Sequence, residues 1–148
     1  MRGKHIVSII SRWAEYRLEL ERKITVIKGN SGMGKSSVIR LISDFLELGK
    51  DSGIKVNIRS SASLMVLSNS SDWDKILPSL NNTIVFFDED VRYLYTEAFQ
   101  KALWTADRYA VIVYRSGQFT GLPFSVSGIY ELVTERKGKS TVTEMRAF

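Results

Sequence analysis

Apolar residues in this chain occur in short segments that are separated by polar turns. In Ile54–Arg59 they alternate with polar residues, which is the two-residue period of a strand with one side facing solvent. Ile84–Phe87 and Ala110–Tyr114 are apolar throughout, which is typical of parallel strands that are buried on both faces. The remaining predicted strands are Lys4–Ile10, the second half of Trp13–Glu21, Ile24–Lys28, Leu64–Leu67, Ile129–Thr134 and Ser140–Met145.

Three segments between the strands have the spacing of helices. Ser37–Leu46 places apolar residues at positions i, i+3, i+4, i+7 and i+8, so one side of this helix is expected to pack on a sheet. Trp73–Leu80 is short and contains Pro78, which should kink or end it, and Tyr95–Ala106 is the third. Because strands alternate with helices, we expect one α/β domain over residues 1–148. Its sheet is expected to be mainly parallel, with antiparallel strands at the N-terminus and a C-terminal hairpin.

The amino-acid composition excludes several classes of protein but does not identify one. The chain has no cysteine, so disulfides, thiol catalysis and cysteine-bound zinc are excluded, and a cytoplasmic location is expected. No apolar run approaches the ~18 residues of a membrane span. The formal net charge of +5 is compatible with an acidic partner such as nucleic acid, but the cations are mostly scattered. Two interpretations of the positive charge are therefore kept: a solvated basic surface and a face that binds nucleic acid.

A glycine-rich segment, Gly29-Asn30-Ser31-Gly32-Met33-Gly34-Lys35-Ser36, follows the phosphate-binding pattern G-x-x-x-x-G-K-[ST]. It lies between a predicted strand and a predicted helix, which is the context that the pattern requires. The glycines let the backbone turn several N–H groups toward an anion, and the start of the helix adds partial positive charge. We predict that the segment from Gly29 to Ser37 binds phosphate. Lys35 would reach the β- and γ-phosphates, and the hydroxyl of Ser36 would bind Mg²⁺.

Two acidic residues, Asp88 and Glu89, directly follow the apolar run Ile84–Phe87. Open α/β sheets bind their ligands at the carboxyl ends of the strands. Mg²⁺ takes one or two carboxylates and keeps several waters, so Asp88 is predicted to hold the metal, directly or through water. Glu89 is predicted to orient and deprotonate an attacking water. The alternative interpretation is that both residues are surface acids of a turn.

These motifs resemble those of P-loop NTPases, with Walker A at Gly29–Ser36 and Walker B at Ile84–Glu89. The Asp-Glu pair is similar to that of the additional-strand group, which includes ABC and AAA+ ATPases, and the resemblance covers Tyr16 to about Arg115. It implies a three-layer sandwich around the sheet, ATP in preference to GTP, and Mg²⁺ as cofactor. Arg115 matches the place where relatives carry a sensor residue, and it is also interpretable as a plain cation at the end of a strand.

The chain also departs from those families. No LSGGQ-like signature precedes Walker B, the segment between Ser36 and Asp88 is too short for the helical insert that carries it, and an AAA+ lid is missing. The resemblance therefore implies a minimal ATPase head, whose nucleotide site a second copy or a protein partner would complete. One alternative is a nucleotide-dependent switch that binds ATP without hydrolysis and acts on a protein or nucleic acid. Another is a small-molecule kinase, against which Glu89 argues.

Overall fold

The computed structural model describes residues 3–28, 35–104, 108–114 and 129–147, and within these ranges the chain forms nine strands and three α-helices. The strands are β1 (His5–Ile10), β2 (Ala14–Leu20), β3 (Ile24–Lys28), β4 (Lys55–Ile58), β5 (Ser63–Leu67), β6 (Thr83–Asp88), β7 (Arg108–Tyr114), β8 (Ile129–Lys137) and β9 (Ser140–Ala147). The α-helices are α1 (Lys35–Leu48), α2 (Trp73–Ile76) and α3 (Glu97–Trp104). Single 3₁₀ turns occur at Gly49–Ser52, Leu77–Ser79 and Arg92–Tyr95.

All nine strands belong to one mixed sheet, in the order β4-β1-β2-β9-β8-β3-β7-β6-β5. The strands from β8 to β5 are parallel to one another, as the apolar sequences of β6 and β7 indicate. β1 is antiparallel to both β2 and β4, and β8 and β9 form an antiparallel hairpin. The predictions of an α/β fold, a mainly parallel sheet, antiparallel N-terminal strands and a C-terminal hairpin are therefore confirmed.

The C-terminal hairpin separates two strands that are consecutive in sequence. β2 and β3 are joined by residues 21–23 alone, yet β9 and β8 lie between them in the sheet. β9 pairs with Ala14–Arg17 at the start of β2, whereas β8 pairs with Val26–Lys28 at the end of β3. The hairpin thus fills the gap where β2 and β3 diverge, while their connected ends stay close together.

The sheet is strongly curled, because its two edge strands are joined by a very short connection. β4 and β5 are linked by residues 59–62, which span at most ~18 Å at ~3.6 Å per residue. In a flat nine-stranded sheet the edges would be ~38 Å apart, at ~4.8 Å between neighbours. A contact across the inside of the curl agrees with this geometry. The hydroxyl of Tyr109 on β7 donates a hydrogen bond of 2.8 Å to the carbonyl oxygen of Gly3, just before β1.

Two apolar clusters lie on opposite faces of the sheet. On the inner face of the curl, α1 packs against both β1 and β5 and contributes Val38 and Ile42 to the first cluster. On the other face, α3 contributes Phe99 to the second cluster. Because side chains alternate along a strand, Phe86 of β6 belongs to the first cluster and Phe87 to the second. Helices therefore cover both faces of the parallel part of the sheet.

The apolar stripe predicted for the first helix is present with one exception. Val38 and Ile42 are buried, and Leu41 and Phe45 are partly buried against the first cluster. Leu46 is instead 46% exposed. At ~3.6 residues per turn, eight residues rotate Leu46 by ~80° from Val38, which places it at the margin of the packed side.

The other two predicted helices are present with shorter α-helical parts. α2 ends at Ile76 and continues as the 3₁₀ turn that contains Pro78, so the predicted termination at this proline is confirmed. α3 begins at Glu97, two residues later than predicted, because Tyr95 belongs to a separate 3₁₀ turn. Residues 105 and 106, predicted to end this helix, lie outside the described ranges.

Candidate functional site

The carboxyl ends of β3, β7 and β6 lie side by side at one edge of the sheet. Lys28, the last residue of β3, pairs with Tyr114, the last residue of β7. One step back along β7, Val113 pairs with Asp88, the last residue of β6. Adjacent strands are ~4.8 Å apart, so ~10 Å separate Asp88 from the end of β3. The end of the strand that precedes the glycine-rich motif and the end of the strand that carries Asp88 therefore lie at neighbouring points of one edge.

The helix that the glycine-rich motif predicts is present on the same side of the sheet as Asp88. It begins at Lys35, and further along it Ile39 and Ser43 line a cleft together with Asp88. Several parts of the predicted site lie outside the described residues, and their roles stay predictions. These parts are Gly29–Gly34, the side chains of Lys35, Ser36 and Ser37, and Arg115.

The turn that carries Asp88 and Glu89 is fixed by its backbone and by one tyrosine. The amide of Glu89 donates to the carbonyl oxygen of Val113 at 3.1 Å, and the amide of Val91 donates to that of Asp88 at 3.1 Å. The hydroxyl of Tyr95 donates to the carbonyl oxygen of Glu89 at 2.9 Å. The turn is thus held to β7 on one side and to the following 3₁₀ turn on the other.

The tyrosine that holds this turn stays protonated over a wide range of pH. Burial raises the pKa of Tyr95 to about 12, and a hydrogen bond with Tyr114 together with the nearby charge of Glu89 acts in the same direction. The phenol therefore keeps its proton near neutral pH and can donate a hydrogen bond to the carbonyl oxygen of Glu89.

A cleft of about 440 Å³ lies beside Asp88. One wall is formed by α1, and the other by the end of β5 with the loop that follows it. The lining combines aliphatic side chains with the polar residues Ser43, Ser68, Asn69 and Asp90. Ligand pockets commonly measure ~300–1,000 Å³, so a cleft of this size is large enough for a small ligand.

Asn69 ties the loop after β5 to the turn after β6. Its Nδ2 donates to the carbonyl oxygen of Asp90 at 2.9 Å, and its Oδ1 accepts from the amide of Arg92 at 2.7 Å. Tyr93 adds a third link, since its hydroxyl donates to the carbonyl oxygen of Ser68 at 2.8 Å. No local sequence pattern predicts these links, because the partners of Asn69 lie 21 and 23 residues further along the chain.

The chemistry of the strand end fits Mg²⁺ when a nucleotide is bound. Among the residues that the structure describes, no group of three or more histidine, aspartate or glutamate side chains could hold a metal ion by itself. At nucleotide sites Mg²⁺ is held by one or two carboxylates, by waters and by the phosphates of the substrate. Asp88 supplies one carboxylate at the carboxyl end of β6, which is compatible with that donor set, and phosphate binding by Gly29–Ser37 stays a prediction.

No protein-family model and no curated protein matches this chain. The basis for a function is the pair of sequence motifs together with the adjacent strand ends at Lys28 and Asp88. Within the described ranges, no helix is long and apolar enough to cross a membrane.

Proposed function

We propose that this protein binds ATP together with Mg²⁺ and hydrolyses it. The observation that carries the proposal is the shared edge of the sheet: the strand before Gly29 and the strand that ends at Asp88 flank β7, ~10 Å apart. Phosphates bound by the glycine-rich segment would then point toward Asp88. The helix that starts at Lys35 lies on the same side of the sheet as Asp88, so its positive N-terminal end would favour bound phosphates there.

The order of the parallel strands supports the additional-strand group of P-loop NTPases. β7 is inserted between β3, which precedes the glycine-rich motif, and β6, which ends at the acidic pair. An inserted strand at this place is the feature after which the group is named. The helices on both faces of the sheet agree with a three-layer sandwich. We therefore propose a minimal P-loop NTPase domain.

Catalysis in such a site consists mainly of positioning and of electrostatic stabilisation of the transferred phosphoryl group. The amides of residues 29–34 and the ammonium group of Lys35 would hold the β- and γ-phosphates. Mg²⁺ held by Ser36 and Asp88 would supply positive charge to the phosphate oxygens. Glu89 would take a proton from the attacking water, whose oxygen would form a bond to the γ-phosphorus. The bond from that phosphorus to the β-phosphate oxygen would break, so that ADP and inorganic phosphate leave. Arg115 would add positive charge near the γ-phosphate.

The test follows ATP binding and phosphate release in the wild type and in two site variants. Lys35→Ala should weaken ATP binding strongly, because it removes the cation that contacts two phosphates. Glu89→Gln should keep ATP binding and lose turnover by ~10²–10⁴-fold, which is the usual contribution of a general base. The matched controls are Lys55→Ala on β4 and Glu47→Gln near the C-terminal end of α1, both at exposed positions, and they should behave as the wild type.

The outcomes separate the candidate functions. Unchanged ATP affinity in Lys35→Ala would refute the nucleotide site altogether. Tight binding of ATP by the wild type without phosphate release would favour the alternative, a nucleotide-dependent switch. The proposal that a second copy or a protein partner completes the site is tested by light scattering with and without a non-hydrolysable ATP analogue. A monomer under both conditions would exclude completion by a second copy.

A further inference from the structure

We propose that Asn69 is a positioning residue that holds the acidic turn Asp88–Glu89 in its working geometry. The inference rests on the proposed ATPase function and adds to it a residue from the neighbouring loop. Asn69 is not expected to touch the nucleotide. It would act through the backbone of the segment that directly follows Glu89.

Both ends of the Asn69 amide group are used to hold this segment. The bonds to the carbonyl oxygen of Asp90, at 2.9 Å, and from the amide of Arg92, at 2.7 Å, are within the normal range of N–H···O distances. Because the amide group is planar and rigid, two bonds from its two ends fix the distance and the direction of the turn. Glu89 itself is anchored to Val113 of β7, so its backbone lies between two fixed points.

The hydrogen bond from the amide of Arg92 pairs a backbone group that has no acceptor within its own turn. Arg92 is the first residue of the 3₁₀ turn that ends at Tyr95, and the preceding residue, Val91, makes no side-chain capping bond. The first amides of a helical turn have no acceptor within the turn itself. Asn69 supplies that acceptor from another loop, and it thereby sets where the 3₁₀ turn begins relative to Glu89.

The expected consequence of removing Asn69 is a loss of rate rather than a loss of fold. Asn69 is exposed, so water can satisfy the released backbone groups in Asn69→Ala, and the urea midpoint should change little. A misplacement of reacting groups by ~1 Å can cost ~10²-fold in rate. We therefore expect kcat to fall by ~10–100-fold while the KM for ATP stays within about threefold.

Two comparisons separate positioning from a general structural effect. Asn57→Ala is the matched control, because Asn57 is an exposed asparagine on β4 that does not line the cleft beside Asp88, and it should leave kcat unchanged. Asn69→Ala should have little further effect on turnover when it is combined with Glu89→Gln, because residues that act through one group are not additive. A full additional loss of rate in the double variant would overturn the inference.

Hydrogen exchange tests the inference without turnover. A peptide that covers residues 88–95 should exchange faster in Asn69→Ala than in the wild type, and Asn57→Ala should not change it. Unchanged exchange of this peptide would overturn the role of Asn69 even in a protein that hydrolyses no ATP. Failure of the ATPase function itself appears separately, as absence of phosphate release from the wild type.

Discussion

Truncation of Phe99 should destabilise the protein strongly, because this side chain is fully buried at the centre of an aromatic cluster. Its ring centroid lies 5.2 Å from that of Trp73, 5.4 Å from that of Phe87 and 5.0 Å from that of Tyr93, in edge-to-face arrangements. These neighbours belong to α2, β6 and the 3₁₀ turn that follows the acidic residues. Phe99→Ala would therefore remove the side chain through which α3 joins three other elements.

The expected magnitude follows from the burial and from the ring contacts. A buried phenylalanine replaced by alanine typically costs ~3–5 kcal/mol, which includes the cavity that is left. The entropy of unfolding is ~2.1 cal/mol/K per residue, or ~0.3 kcal/mol/K for 148 residues, so Tm should fall by ~10–16 °C. Phe99→Leu keeps most of the volume and loses mainly the three ring contacts, each worth ~0.5–1.5 kcal/mol beyond burial. We expect Phe99→Leu to cost ~1.5–4.5 kcal/mol, and less than Phe99→Ala.

The assay is urea denaturation followed by far-UV circular dichroism, with thermal unfolding as a second measurement. Phe99→Leu keeps the test informative if Phe99→Ala does not fold. Leu46→Ala is the control, because Leu46 is 46% exposed and its truncation should change the free energy of unfolding by no more than ~0.5 kcal/mol. If Phe99→Ala stays within ~1 kcal/mol of the wild type with an unchanged m-value, the second apolar cluster does not contribute as its packing implies.

Two further expectations concern stability. Burial raises the pKa values of Tyr93 and Tyr95 to about 12, so the unfolded chain releases these protons at lower pH than the folded protein does. The free energy of unfolding should therefore fall as pH rises from about 10 to about 12, and this fall should be shallower in Tyr93→Phe than in the wild type. Urea titrations at several pH values measure the fall, and an equal slope against pH in both proteins would contradict the expectation. Gly138 has a φ of 64°, which is in the left-handed region, so the strain in Gly138→Ala should lower the free energy of unfolding by ~1–2 kcal/mol. Gly138→Asn should lower it by less, and equal urea midpoints for the two variants would contradict this expectation.

Local sequence patterns predicted the strands and helices well, because periodicity depends only on near neighbours. The apolar runs of β6 and β7 correctly indicated buried parallel strands. The order of the strands in the sheet was harder to predict from the sequence. Residues 21–23 suggest a simple hairpin of β2 and β3, but β8 and β9, which come some hundred positions later in the chain, lie between them. Such pairing depends on contacts that no local pattern records.

The candidate site likewise has some features that the sequence predicts and others that it does not. The position of Asp88 and Glu89 at the end of a buried parallel strand could be predicted, because acids that directly follow an apolar run mark the end of the strand. The two hydrogen bonds of Asn69 could not be predicted, because its partners Asp90 and Arg92 lie 21 and 23 positions further along the chain. An exposed asparagine in a loop has many ordinary explanations, and only the geometry of both of its bonds distinguishes this one.

The placement of both motifs depends on β7, which carries neither of them. All seven residues from Arg108 to Tyr114 are buried, and the strand pairs with β3 on one side and with β6 on the other. Through Val113 it sets the register of Asp88, and through Tyr114 that of Lys28, the residue before the glycine-rich segment. A shift of β7 by one residue would move its side chains from each face of the sheet to the other. This shift would disrupt the packing of both apolar clusters. The packing of the two faces therefore fixes the distance between the proposed phosphate-binding and metal-binding parts of the site.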